Sequence, residues 1–114
     1  MRIVRVYTGD DGESHLEDVT LDFSERNGTR TVPETSTNAS VSWAVRTAGD
    51  FADFHVGAAK QYVFYMTCAV EITVGDGSKV VLNEGDILDE QDATGHGHTT
   101  RVLRSGLCAF VRLG

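Results

Sequence analysis

Hydrophobic and polar residues alternate along most of this chain with a period of two, and almost nowhere with the helical period of about 3.6. Val41, Trp43 and Val45 alternate with Ser40, Ser42, Ala44 and Arg46, which predicts a strand with one buried face. The start, Arg2 to Tyr7, alternates in the same way. The run QYVFYMTCAVEITV from Gln61 to Val74 is rich in β-branched and aromatic residues and ends at Gly75-Asp76-Gly77. That Asp-Gly pair predicts a tight hairpin, with Ser78 to Leu82 returning as the partner strand. After a turn over Asn83-Glu84-Gly85-Asp86, short strands are predicted at Ile87 to Asp89, His98 to Arg104 and Leu107 to Leu113. Helix is scarce; Leu21 to Arg26 could form a turn or two.

Segment 24–40, SERNGTRTVPETSTNAS, is the most polar and least patterned stretch and holds the only proline, Pro33. It reads as a long surface loop, in a position to act as a lid. Many short strands separated by turn signals point to an all-β sandwich or barrel. A chain of 114 residues makes one domain, 1–114, with room for a real core.

Composition narrows the function classes. The net charge of -7 and the lack of a basic run argue against nucleic acid or an anionic membrane surface as partner. No apolar stretch reaches the length of a membrane span, and the N-terminus lacks the apolar centre of a signal peptide. A cytoplasmic location is the default expectation. Cys68 and Cys108 sit in apolar strands at a spacing that matches no metal motif, so they read as buried free thiols.

Two polar clusters interrupt the strand pattern. The first is Asp53-Phe54-His55, with Gln61 six residues beyond His55; the second is Gly95-His96-Gly97-His98. Residues two apart on a strand face the same side. Asp53 with His55, and His96 with His98, would therefore project in pairs. If the fold joins the two strands, imidazoles and a carboxylate meet in a way that suits a divalent metal.

These clusters, with their flanking glycines, resemble the two motifs of the cupins, which are small jelly-roll barrels with a metal site. Gly49, Asp53-Phe54-His55, Gln61 and Cys68 follow the order of the first motif, with altered spacers. Gly85-Asp86, Gly95, His98 and Val102 follow the second. The likeness covers roughly residues 40 to 113, about two thirds of the chain. It implies a cupin-type jelly roll in which His55 and His98 are metal ligands and Gln61 stands at the glutamate ligand position. Asp53 occupies a histidine position, where it could be a fourth ligand or base, an exposed strand-end carboxylate, or an acceptor that orients a histidine. Cys68, Val102 and the missing proline also depart from the pattern.

The resemblance implies a transition metal, iron, zinc, nickel or manganese, and a small molecule bound inside the barrel. Lyase, isomerase or cyclase chemistry fits an Asp-Gln-His set slightly better than oxygenation. A cupin that binds a small ligand without catalysis is the alternative, and a barrel that only presents loop 24–40 to a partner is a third. Small cupins often pair, and Arg2 to Tyr7 as an edge strand would suit a homodimer.

Two further residues are candidates for chemistry. His96, between two glycines, reads as a loop residue at the pocket mouth, available as general acid or base. Tyr65 shares a face with Gln61 and Val63 and would carry its phenol inward. Most other aromatic residues are expected in the core. Asp86, Asp89, Glu90 and Asp92 read as a solvated acidic loop, since calcium-loop spacing is absent.

Overall fold

A computed structural model describes residues 1–21, 24–26, 29–31, 38–57 and 60–113, with 24–26 and 29–31 as backbone only. The described chain is all β. Its strands are β1 (Ile3–Thr8), β2 (Ser14–Asp18), β3 (Ser24–Arg26), β4 (Thr29–Thr31), β5 (Ala39–Arg46), β6 (Phe51–His55), β7 (Gln61–Tyr65), β8 (Ala69–Thr73), β9 (Lys79–Leu82), β10 (Ile87–Glu90), β11 (His98–Arg104) and β12 (Gly106–Leu113). No helix among the described residues is long and apolar enough to cross a membrane.

Two sheets pack face to face. One has the order β2-β1-β10-β7-β12-β5 and the other β6-β11-β8-β9, while β3 and β4 form a separate hairpin. β1 and β10 run parallel; the other pairings are antiparallel. The core lies between the sheets. Val4, Val6, Val63, Leu88 and Cys108 of the larger sheet meet Val70, Ile72, Leu82 and Val102 of the smaller. Burying each large aliphatic side chain contributes about 1.5–3 kcal/mol. Both sheets end in open strands, so the arrangement is a sandwich rather than a closed barrel.

The Asp76-Gly77 hairpin forms as its sequence predicts. Val74 N–H donates to Ser78 O at 2.9 Å, Asp76 Oδ1 accepts Ser78 N–H at 2.8 Å, and Gly77 takes φ +89°. The long Gln61–Val74 run, by contrast, is two strands. β7 belongs to the larger sheet and β8 to the smaller, and the chain crosses between them at Met66-Thr67-Cys68.

Other expectations are corrected. Leu21–Arg26 gives no helix at its described positions; Ser24–Arg26 is β3. Segment 24–40 contains the β3–β4 hairpin and the start of β5, and its role as a lid lies outside the described residues. β1 is not an edge strand, because β2 covers it on one side and β10 on the other. The alternation in β5 is real but its polarity is reversed. Val41, Trp43 and Val45 are exposed (57%, 65% and 80%), because the half-buried Ala44 and Arg46 are the positions of the strand that turn inward. Phe54, at 41% exposure, is not in the core either.

Candidate functional site

The register of the larger sheet assembles one inward face. β7 contributes Gln61, Val63 and Tyr65, as their alternation predicts. Leu88 is paired with Val63 and Glu90 with Gln61 on β10, and Phe110 is paired with Val63 on β12. Arg46, at the end of β5, pairs with Gly106 of β12. The smaller sheet borders the other side with the exposed Ala52 and His55 and the buried Thr100. Together with Val56 these residues line an inter-sheet cavity of about 260 Å³.

His55 and His98 face each other on paired strands, with ring centroids 4.6 Å apart. Their partnership depends on an irregular ladder. His98 pairs with His55 and Thr100 with Ala52, so β6 spends one more residue than β11 over the same span. Such a bulge breaks the strand period of two. Ala52 and His55, three apart, therefore share the cavity wall, and Asp53 does not line it. Asp53 is exposed; its Oδ1 accepts the Phe54 N–H at 2.9 Å, and its carbonyl lies 2.8 Å from His55 Nδ1.

His98 is almost fully buried, at 1% exposure. Its Nδ1 lies 2.5 Å from Asp92 Oδ2, which also accepts a hydrogen bond from the Ser14 hydroxyl at 2.7 Å. Asp92 is wholly buried, and its Oδ1 has no partner among the described residues. An imidazole held through Nδ1 by a carboxylate keeps a fixed orientation and leaves Nε2 for chemistry. Ser14 bonds the carboxylate and not the imidazole, so this is not a nucleophile–base pair.

Glu90 completes the group. Its Oε2 is 3.9 Å from His98 Nε2, and its Oε1 accepts the Gln61 amide at 3.0 Å. Burial pushes the Glu90 carboxyl above its ordinary range, with His98 opposing the shift and Asp92 adding to it. Burial likewise raises the Tyr65 phenol, which keeps it a neutral hydroxyl donor. The acidic stretch is thus no solvated loop. Asp89, Glu90 and Asp92 are all buried, and Asp89 turns to the outer face to pair with Arg5 at 3.0 Å.

His96 lies apart from His98. Positive φ at Gly95 and Gly97 turns the segment before β11, and His96 is exposed on the surface. Its Nδ1 is 2.7 Å from Glu13 Oε2, and its ring stacks on Phe54 at 4.0 Å. It does not line the cavity.

The residues expected to hold a metal are only partly brought together. His55 and Gln61 line the cavity, His98 lies beside His55 and Glu90 without lining it, Gln61 turns its amide N–H to Glu90, and Asp53 stands outside. Among the described residues no three His, Cys, Asp or Glu side chains are grouped to hold an ion. As arranged, the set does not fit the four-ligand centre that the cupin resemblance implies.

Sequence reasoning missed Glu90, Asp92, Ser14 and Arg46. Glu90 carried a usable signal, since it continues the alternation of Leu88 by one step past the predicted end of the strand. Arg46 stood on the side of β5 that the pattern assigned to solvent. In comparisons with known proteins, no family model matches the chain and no curated protein matches it.

Proposed function

We propose that this chain is a small cupin-type jelly roll whose inter-sheet cavity catalyses proton transfer on a small organic molecule, as a lyase or isomerase does. Two facing, mainly antiparallel sheets and a cavity between them support the fold reading. One observation carries the chemistry: Asp92 fixes the buried His98 through Nδ1, so that Nε2 is turned toward the Glu90 carboxyl. An imidazole beside a desolvated carboxyl group is a pair able to take a proton at one atom and return it at another. Gln61 holds Glu90 in place, and Tyr65 offers a hydroxyl donor to a substrate oxygen.

The test is deuterium incorporation into a panel of small ketones, oxoacids and hydroxyacids in heavy water, read by proton NMR. Exchange with the parent protein, lost in His98→Gln and Glu90→Gln, is the expected result. No exchange with any compound, while ligands still bind, would replace the enzyme with a binding protein.

A divalent metal is the second reading, favoured by the facing His55 and His98 rings, each tied through Nδ1 and with Nε2 unbonded among the described residues. Elemental analysis decides it. Stoichiometric metal in the parent, absent from both His55→Ala and His98→Ala, is the supporting result.

A further inference from the structure

Of the six arginines whose side chains are described, three are ion-paired, and Arg112 is exposed to solvent. Arg2 pairs with Asp18, Arg5 with Glu17 and Asp89, and Arg104 with Glu84. Arg101 lies over the Phe51 ring. Arg46 differs: it is half-buried on the cavity wall, and no carboxylate lies within ion-pair distance of it among the described residues. The protein as a whole carries an excess of negative charge, so a guanidinium left over inside a cavity needs a reason. Removing such a charge from water is costly unless it is paired.

We infer that Arg46 is the anchor for the carboxylate of a small monocarboxylic acid. The inference rests on the reading of the inter-sheet cavity as the functional site and names what enters it. Three features define the class. A guanidinium presents a planar fork of donors that matches a carboxylate with two parallel hydrogen bonds. Tyr65, whose charge environment already includes Arg46, stands near as a further hydroxyl donor. Between its polar ends the wall is apolar at Ala52, Val56, Val63, Leu88 and Phe110, with Thr100 beside them and His55, Gln61 and Glu90 beyond, which suits a short hydrocarbon body with a polar far end.

Charge and size narrow the class further. One guanidinium balances one negative charge, and among the described residues no second lysine or arginine lines the cavity to balance a dianion such as phosphate. The cavity of about 260 Å³ falls at or below the small end of ligand pockets, so the acid is small. Register sets its direction. Arg46 is one row beyond Tyr65, whereas Gln61 and Glu90 are at the other end of β7. A carboxylate on Arg46 therefore leaves the far end of the molecule toward Glu90 and the paired histidines.

The experiment is a chemical-shift titration of the full ¹⁵N-labelled chain with butyrate, benzoate, their primary amides and inorganic phosphate. Parent protein is set beside Arg46→Met, Arg46→Lys and His98→Gln. The expected result is binding of at least one acid, with shifts at Ala52, Val63 and Tyr65, and an amide that binds roughly tenfold to a hundredfold more weakly, the scale of a lost charge-assisted bond. Arg46→Met should erase that preference with the rest of the spectrum unchanged, Arg46→Lys should restore part of it, and His98→Gln should keep it.

Equal binding of acid and amide, a preference retained in Arg46→Met, phosphate binding as tightly as the acids, or no cavity shifts with either acid would each overturn the anchor. A preference lost in His98→Gln but kept in Arg46→Met would move the anion to the histidine end and overturn it as well. Failure of the proton-transfer reading is a separate event: deuterium exchange absent while the Arg46-dependent preference stands.

Discussion

Asp92 Oδ2 lies 2.5 Å from His98 Nδ1, and both side chains are sealed from solvent. The contact links a loop residue to the first residue of β11 and fixes which imidazole nitrogen faces Glu90. Asp92→Ala would leave the Ser14 hydroxyl and His98 Nδ1 without their acceptor. Each unpaired buried group costs about 1–3 kcal/mol. Denaturant unfolding should therefore show a loss of several kcal/mol for Asp92→Ala and a clearly smaller one for Asp92→Asn, whose amide oxygen still accepts from the ring. Equal losses would mean that the contact does not set the imidazole's orientation.

Glu90 makes stability depend on pH in a stated direction. Its carboxyl is raised above the ordinary range by burial, against the opposing influence of His98, Gln61 and His55. A raised carboxyl binds its proton more tightly in the folded state, so its contribution is fullest below the ordinary glutamate value of about 4.3 and is lost as pH rises through the folded value. Glu90→Gln should remove that loss. Melting temperatures of parent and variant, compared from acid to neutral pH, should diverge in favour of the variant as pH rises. A constant offset across that range would contradict the prediction.

Gly97 takes φ +80°, and a Cβ there would collide with the His55 carbonyl. Gly97→Ala thus combines a left-handed backbone cost of about 1–2 kcal/mol with a clash that drives β6 away from β11. Lower thermal stability together with altered imidazole resonances of both His55 and His98 is expected. Gly77→Ala, at a similar φ but with open space around it, should carry the backbone cost alone and leave the histidine resonances unmoved.

The single tryptophan reports on sheet polarity. Trp43 is 65% exposed on the outer face of β5, so its fluorescence should be red-shifted and readily quenched by iodide in dilute protein. A blue-shifted, protected emission would mean that this face is covered.

Cys68 and Cys108 are fully buried, and burial raises the Cys68 thiol. Thiolate is the reactive form. Neither cysteine should react with a thiol reagent in native buffer, and both should react in denaturant; fast native labelling of either would contradict their placement.

Local signals in the sequence were legible where one strand or one turn decided the outcome. The Asp76-Gly77 hairpin, the inward set Gln61-Val63-Tyr65 and the confrontation of His55 with His98 all follow from short-range alternation or from motif position. What could not be read depended on partners far along the chain. The two faces of β5 differ clearly in sequence, yet the inward side is set by the residues of other strands that it packs against and not by its own hydrophobicity. Asp92 looks like a loop acid until His98 and Ser14, from two other places in the chain, close around it. The Asp53–His55 pairing failed for another reason, since a period-two argument assumes an unbroken ladder and β6 breaks it.

That break gives the site a dependence on chain length as well as on residue identity. Were the β6–β11 ladder continued in step from Ala52 and Thr100, Phe54 and not His55 would stand across from His98. The extra residue selects imidazole over a phenyl ring. Deleting Phe54 would remove the surplus yet keep His55 two steps from Ala52 and on the same side, whereas inserting one residue there would turn His55 outward and present its neighbour instead. For this strand, shortening is the gentle change and lengthening the severe one, the reverse of what a surface-exposed segment would lead one to expect.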